Sequence, residues 1–232
     1  MSVRKGSGSA GPKVIIACEV MQPELEKVRP ENGVEIRYLK QGLHRTPDQL
    51  RHLIQEQIDQ VAEDASRIIL GYGLCSNGIV GVKARRQELI VPRAHDCISL
   101  FLGSAAAYEK AFRSRPGTYY LSPGWVAVNQ DPLGIVEEDY MPRLGRDTAM
   151  WVMEEELKHY THIVLIVNGA SDVGPLRERG LENARVLNKQ YDEIEASLEY
   201  FIKIVNGPYP EEDFIILKPG EEITQDMFFQ DL

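Results

Sequence analysis

Cys18, Cys75 and Cys97 are the three cysteines of a 232-residue chain, and each stands just beyond a short apolar run. An odd number at wide spacing is unlike the disulfide framework of a small secreted domain, so they read as thiols or ligands. Three thiolates can hold an iron–sulfur cluster and leave one iron open to substrate. Structural zinc takes four ligands, often with two cysteines two to four residues apart, and the chain has no such pair. His95-Asp96-Cys97 supplies an H-x-C pair that, with a distant cysteine, could hold a catalytic zinc for thiol or methyl-transfer chemistry. The plain alternative is three small buried apolar residues, since free cysteine is among the most buried types.

Neighbouring residues supply candidate substrate contacts. Gly71-Tyr72-Gly73-Leu74-Cys75-Ser76-Asn77-Gly78 allows close approach of the backbone to a ligand, with Tyr72 and Asn77 beside it. It lacks the lysine of a phosphate loop and the third glycine of the dinucleotide fingerprint. Arg93 can pair with a substrate carboxylate or form an internal salt bridge to Asp96 or Glu19. Glu19 and His95 are candidate acid–base groups. Trp125, with Tyr119 and Tyr120, can line an aromatic wall, although core packing is the commoner role of such residues.

The elements that must carry these residues are short buried strands alternating with amphipathic helices. Lys13 to Ala17, Val34 to Leu39, Ser66 to Tyr72, Leu89 to Pro92, Thr118 to Leu121, His162 to Val167 and Phe214 to Leu217 read as strands. Thr46-Pro47-Asp48-Gln49 starts a helix with Leu50, Leu53, Ile54, Ile58 and Val61 on one face. Further helices are expected from Ile98 to Phe112, from Asp147 to Leu157, and through Ile194, Leu198, Phe201, Ile202 and Val205. Residues 126–145, with two prolines and two glycines, read as a long irregular connection.

The expected fold is therefore α/β: a mostly parallel layered sheet with helices on both faces, built of Rossmann-like βα units. All three cysteines fall at C-terminal strand ends, where ligands gather in such sheets. Cys75 and Cys97 also lie near expected helix N-termini, which favour thiolate. Residues 1–12 read as a flexible arm and 13–232 as one domain, with a division into two βα subdomains near 126–145 as an open alternative.

Composition excludes several classes. With 43% hydrophobic and 26% charged residues the chain is not globally disordered. The net charge of −9 is concentrated at the end: residues 211–232 contribute −6, leaving a nearly balanced body. No basic run exceeds Lys83-Ala84-Arg85-Arg86, so a nucleic-acid partner is not expected. No apolar run suits a membrane helix or secretory signal, and the expected location is the cytoplasm.

The stretch Leu70 to Gly78, Pro92-Arg93-Ala94-His95-Asp96-Cys97-Ile98, Leu102-Gly103-Ser104, and Pro116 to Trp125 together resemble the bacterial and archaeal family called domain of unknown function 1638. The similarity runs from about Val14 to Pro219. It implies an association with corrinoid-dependent methyl transfer and one-carbon metabolism, with corrinoid or methyltransferase proteins as partners. Three cysteines on separate strand ends also look like the cluster ligation of quinolinate synthase and the diphthamide-forming enzymes, a likeness of architecture alone. The leading expectation is a [4Fe–4S] cluster on Cys18, Cys75 and Cys97 acting on a small polar substrate. Catalytic zinc on His95 and Cys97 is the second expectation, and a cofactor-binding accessory protein without a metal the third.

Overall fold

The computed structural model describes residues 11–30 and 32–229. Residues 1–10 of the expected arm, and the last acid of the tail, Asp231, lie outside the described residues.

Among the described residues eight strands form two sheets: β1 (Lys13–Cys18), β2 (Val34–Leu39), β3 (Arg67–Gly71), β4 (Leu89–Pro92), β5 (Thr118–Leu121), β6 (His162–Val167), β7 (Gln190–Glu195) and β8 (Phe214–Leu217). The first sheet has the order β2-β1-β3-β4-β8 and the second β5-β6-β7. All pairings are parallel except β4 with β8. The expected layered α/β fold is thus present, with one antiparallel strand at an edge.

The first sheet is apolar on both faces because its strands alternate between two cores. Val14 and Ile16 of β1, Ile68 and Leu70 of β3, and Leu89 and Val91 of β4 face one core. Ile15 and Ala17, Ile69, and Ile90 face the other. Helix α1 (Gln22–Val28) covers the second face through Leu25, and α2 (Pro47–Asp59) covers the first through Leu50, Ile54 and Ile58. Since β1 connects outward to β2 and the chain returns past β1 to β3, the strand order reverses between β1 and β3. Such a reversal opens a crevice at the C-terminal strand ends. Cys18 ends β1, and Cys75 follows β3.

Residues 98–112 form two helices, not one. Gly103 at φ 88° breaks the run into α3 (Ile98–Phe101) and α4 (Ala105–Ser114), and Ser104 caps the second by accepting from the Ala107 amide at 3.0 Å. The chain enters the second sheet at Thr118, ahead of the 126–145 connection. That connection is helical rather than irregular: α5 (Pro123–Ala127), α6 (Pro132–Ile135), a π-helical turn over Val136–Tyr140, and α7 (Met141–Leu144). Its prolines sit at the starts of helical segments, where no amide donor is needed. The fully buried Asp131 side chain holds it by accepting from Asn183 Nδ2 (2.7 Å), Arg179 Nε (3.0 Å) and the Gly134 amide (3.3 Å).

Helix α8 (Arg146–Glu156) follows Gly145, with Asp147 in its first turn instead of at the cap. Helix α9 (Val173–Val186) covers one face of the second sheet, packing Leu176 and Ala184 on Ile163 and Leu165. Ile166 on the opposite face joins the second core of the first sheet, together with Phe201 and Ile204 of α10 (Glu199–Asn206). Ile194, expected on that last helix, is instead in β7.

One buried polar contact crosses between the two sheets. Glu24 of α1 is fully buried and accepts from Asn168 Nδ2 at 3.0 Å, while its Oε2 has no partner. Burial raises its pKa from an ordinary 4.5 to about 7, outweighing the Asn168 hydrogen bond that lowers it. The folded chain therefore holds a proton between pH 4.5 and 7 that the unfolded chain has released, and stability falls as pH rises through that window. Glu24→Gln, which mimics the protonated form, is expected to gain on the order of 2 kcal/mol at pH 8 and almost nothing at pH 4.5. Urea denaturation at both pH values measures the difference, and an equal effect at the two would contradict it.

Candidate three-thiol site

The thiols converge through three loops at one edge of the first sheet. Cys18 comes directly from β1. Cys75 follows β3 on a turn whose next residues, Ser76 and Asn77, share its left-handed backbone, with φ of 47°, 57° and 66°. Cys97 precedes α3. The second and third loops continue the pairing of β3 with β4 beyond the strands: Leu74 N donates to Ala94 O (2.8 Å) and Cys75 N to His95 O (3.2 Å). Gly73 permits this contact, because a Cβ there would lie 2.8 Å from the Asp96 carbonyl carbon. The close backbone approach expected to serve a ligand therefore serves to bring the two cysteine loops together.

Three consecutive non-glycine residues in the left-handed region store strain, at roughly 1 kcal/mol or more each. Ser76 is exposed, so Ser76→Gly is expected to raise stability by about 1 kcal/mol without disturbing the thiols. Chemical denaturation would show it, and a loss of stability would contradict the strain.

All three cysteines are free and half-buried, and line a cavity of about 800 Å³. Burial pushes the Cys18 thiol up to about 12 and raises Cys75 to about 12, with the Cys18 charge as its second cause. Cys97 is likewise raised well above the ordinary range by burial, then by Cys75 and Cys18. The expectation of thiolates favoured by helix N-termini is therefore corrected. Cys75 precedes no helix and Cys97 only a four-residue one, so desolvation prevails.

Tyr72 and Trp125 line the same cavity, as expected. The Tyr72 hydroxyl is buried without a hydrogen-bond partner. Trp125 lies on the wall and also packs against Phe101, with ring centroids 5.0 Å apart, so it combines both roles weighed for it. Its helix is set by Pro123 at the first turn and by Ser122, whose hydroxyl accepts from the Trp125 amide. His95 lines the cavity too and meets Phe229 edge-on at 4.9 Å.

Arg93, Glu19 and Asn77 do not line it. Arg93 donates instead to the carbonyls of Glu211 (2.9 Å), Met227 and Phe214 (3.5 Å), fastening the C-terminal segment to β4. Neither expected salt bridge forms. Glu19 accepts from the Gln41 amide (2.8 Å) and pairs with Lys40 (3.1 Å), fixing the turn after β2. Asn77 is exposed on the left-handed turn.

The Gln41–Arg45 turn contributes Gln41, His44 and Arg45 to the cavity lining, with Lys40 just before it. Thr118, Tyr119 and Tyr120 of the edge strand β5, then His159 and Tyr160, line the cavity as well. From the sequence, Asp96 is only a partner for Arg93. Its carboxylate accepts from the Ile98 amide at 2.9 Å, bracing the loop on which Cys97 sits. Burial raises its pKa.

The family described as Protein of unknown function (DUF1638) matches residues 38–205. The chain belongs to this family. The DUF1638 match takes in Cys75, Cys97 and the cavity-lining residues from Lys40 to Tyr160, and it begins after Cys18. No curated protein and no solved structure matches the chain significantly. No helix among the described residues is long and apolar enough to cross a membrane. No group of three or more His, Cys, Asp and Glu side chains among the described residues is drawn together as the ligands of a single metal ion would be.

Proposed function

We propose that this chain is a metalloprotein with enzymatic function, holding a [4Fe–4S] cluster on Cys18, Cys75 and Cys97 with one iron left open to a small polar substrate. The convergence of three thiols from three separate loops on one cavity is the observation that carries this reading. The donor chemistry fits, because a cluster held by three cysteines lacks a protein ligand on its remaining iron. Cysteines on a cluster bind different irons, whereas sulfurs on one zinc, each at about 2.3 Å, must lie within about 4 Å of one another. A zinc held by His95 and Cys97 with a distant cysteine is the alternative reading.

When bound, the open iron would supply Lewis-acid chemistry to a substrate oxygen or nitrogen. The chain's own groups do the rest. Tyr72, whose buried hydroxyl has no partner within the chain, would donate a hydrogen bond to the substrate. Trp125 and Met21 exclude water from one side, while His95 stands on the wall as a proton donor or acceptor. Asp96 positions the Cys97 loop. A role in corrinoid or one-carbon metabolism, with corrinoid or methyltransferase proteins as partners, is supported by the family resemblance alone. Anaerobic metal analysis of the purified protein tests the cluster; a folded, metal-free preparation would instead support a non-enzymatic accessory role.

A further inference from the structure

The same cavity also carries basic side chains and unmet hydrogen bonds. Lys40, His44, Arg45 and His159 line it, whereas Asp96 is the acidic residue of the cavity lining. Lys40 and Arg45 have carboxylate partners, Glu19 at 3.1 Å and Asp139 at 3.6 Å, but neither partner lines the cavity. His44 Nδ1 donates to the Gln41 carbonyl at 2.7 Å, which orients the ring and leaves Nε2 for another group. Two residues of the lining, Tyr72 (3% exposed) and Gln41 (7% exposed), each carry a buried polar atom with no partner, the hydroxyl of Tyr72 and Oε1 of Gln41. Buried polar atoms are almost always satisfied, so a pair of orphans on one cavity marks the place of a ligand that both accepts and donates. Half of the chain's ten tyrosines also line this space, offering flat apolar surface with hydroxyl tips.

We propose that the cavity takes a small organic oxyanion bearing a hydroxyl or amino group, with its charge held by Arg45 and its donor group satisfied at Gln41. This names the substrate class of the site described above and rests on that reading for which cavity is reactive. The shared chemistry is the oxyanion, since a guanidinium recognises carboxylate and phosphate alike.

Titration calorimetry with malate and with glycerol 3-phosphate, on metal-free and on iron-loaded protein, tests it and distinguishes the two anions. At least one is expected to bind, and Arg45→Gln to weaken it about 10-fold or more, because a charge-assisted contact is lost. Succinate, which lacks the donor, is expected to bind more weakly than malate where malate is the ligand. Arg45 is partly exposed, so the variant is expected to melt like the native chain. No heat from either anion in either form, or binding indifferent to Arg45→Gln, would overturn the assignment. Iron content of the same samples is the separate readout. A chain that never takes up iron but binds the anion through Arg45 supports this assignment and contradicts the cluster, whereas an iron-loaded chain indifferent to both anions overturns this assignment alone.

Discussion

Cys97→Ser is expected to abolish iron and sulfide binding while leaving the metal-free fold intact, and Cys18→Ser and Cys75→Ser to do the same. A cluster held by three protein ligands has none to spare, and a serine hydroxyl is a poor substitute for a thiolate on iron. The metal-free fold does not depend on these sulfurs. The two large cores lie on either side of the first sheet, and the Cys75 and Cys97 loops are tied by main-chain bonds and by the Asp96 carboxylate, none of which involves a sulfur. Each substitution is therefore expected to change metal-free stability by no more than about 1–2 kcal/mol, the cost of placing a hydroxyl at a half-buried position. Iron and acid-labile sulfide assays, set beside denaturant unfolding of the metal-free variants, separate the two effects. Full iron content in any one variant would remove that cysteine from the site. Unchanged content in all three would leave them as packing residues.

The second large effect is structural and reaches the same cavity from the other side. Gly124 lies in α5, one residue before Trp125, against the short helical turn that follows Cys18. A Cβ at position 124 would stand 1.7 Å from the Val20 carbonyl oxygen, and backbone cannot rotate away as a side chain can. Gly124→Ala must push α5 off that turn, moving Trp125 and the chain around Cys18 together. The expected cost exceeds about 3 kcal/mol, the upper end of ordinary overpacking. Gly174→Ala is the control. Its Cβ would meet only Asp172 Oδ1 at 3.6 Å, and alanine improves helix propensity by up to about 1 kcal/mol. Urea denaturation of the two variants should give opposite signs, and a Gly124→Ala chain as stable as the native one would contradict the packing of α5.

Much of this arrangement is legible before any coordinates. The strands β1, β3, β4 and β6 are near-continuous apolar runs because helices or a second sheet bury both of their faces. β7 escapes that test: Gln-Tyr-Asp-Glu-Ile-Glu is a half-exposed edge strand whose polarity hides its pairing with β6. Helix α9 is obscured by Gly174, Pro175 and Gly180, although Gly180 makes room for the Tyr191 ring, 2.7 Å from where its Cβ would be.

The cysteines were legible for the same reason as the strands, since the end of a buried run marks the end of a strand. Their chain neighbours were not. The strand ends at Cys18 and a tight helical turn begins at Glu19, whose side chain is taken up in fastening the Lys40–Gln41 turn. Arg93 is drawn off by carbonyls more than a hundred residues further along the chain. Gln41, Arg45 and Tyr160 reach the cavity only through tertiary packing, and no local spacing connects them with a cysteine.

The most direct measurement is the iron, acid-labile sulfide and visible spectrum of the native chain purified without oxygen. About four irons and four sulfides per chain, with a broad visible shoulder that disappears on exposure to air, is the predicted result. A cooperatively folded chain that carries no iron after anaerobic reconstitution with iron and sulfide would contradict it.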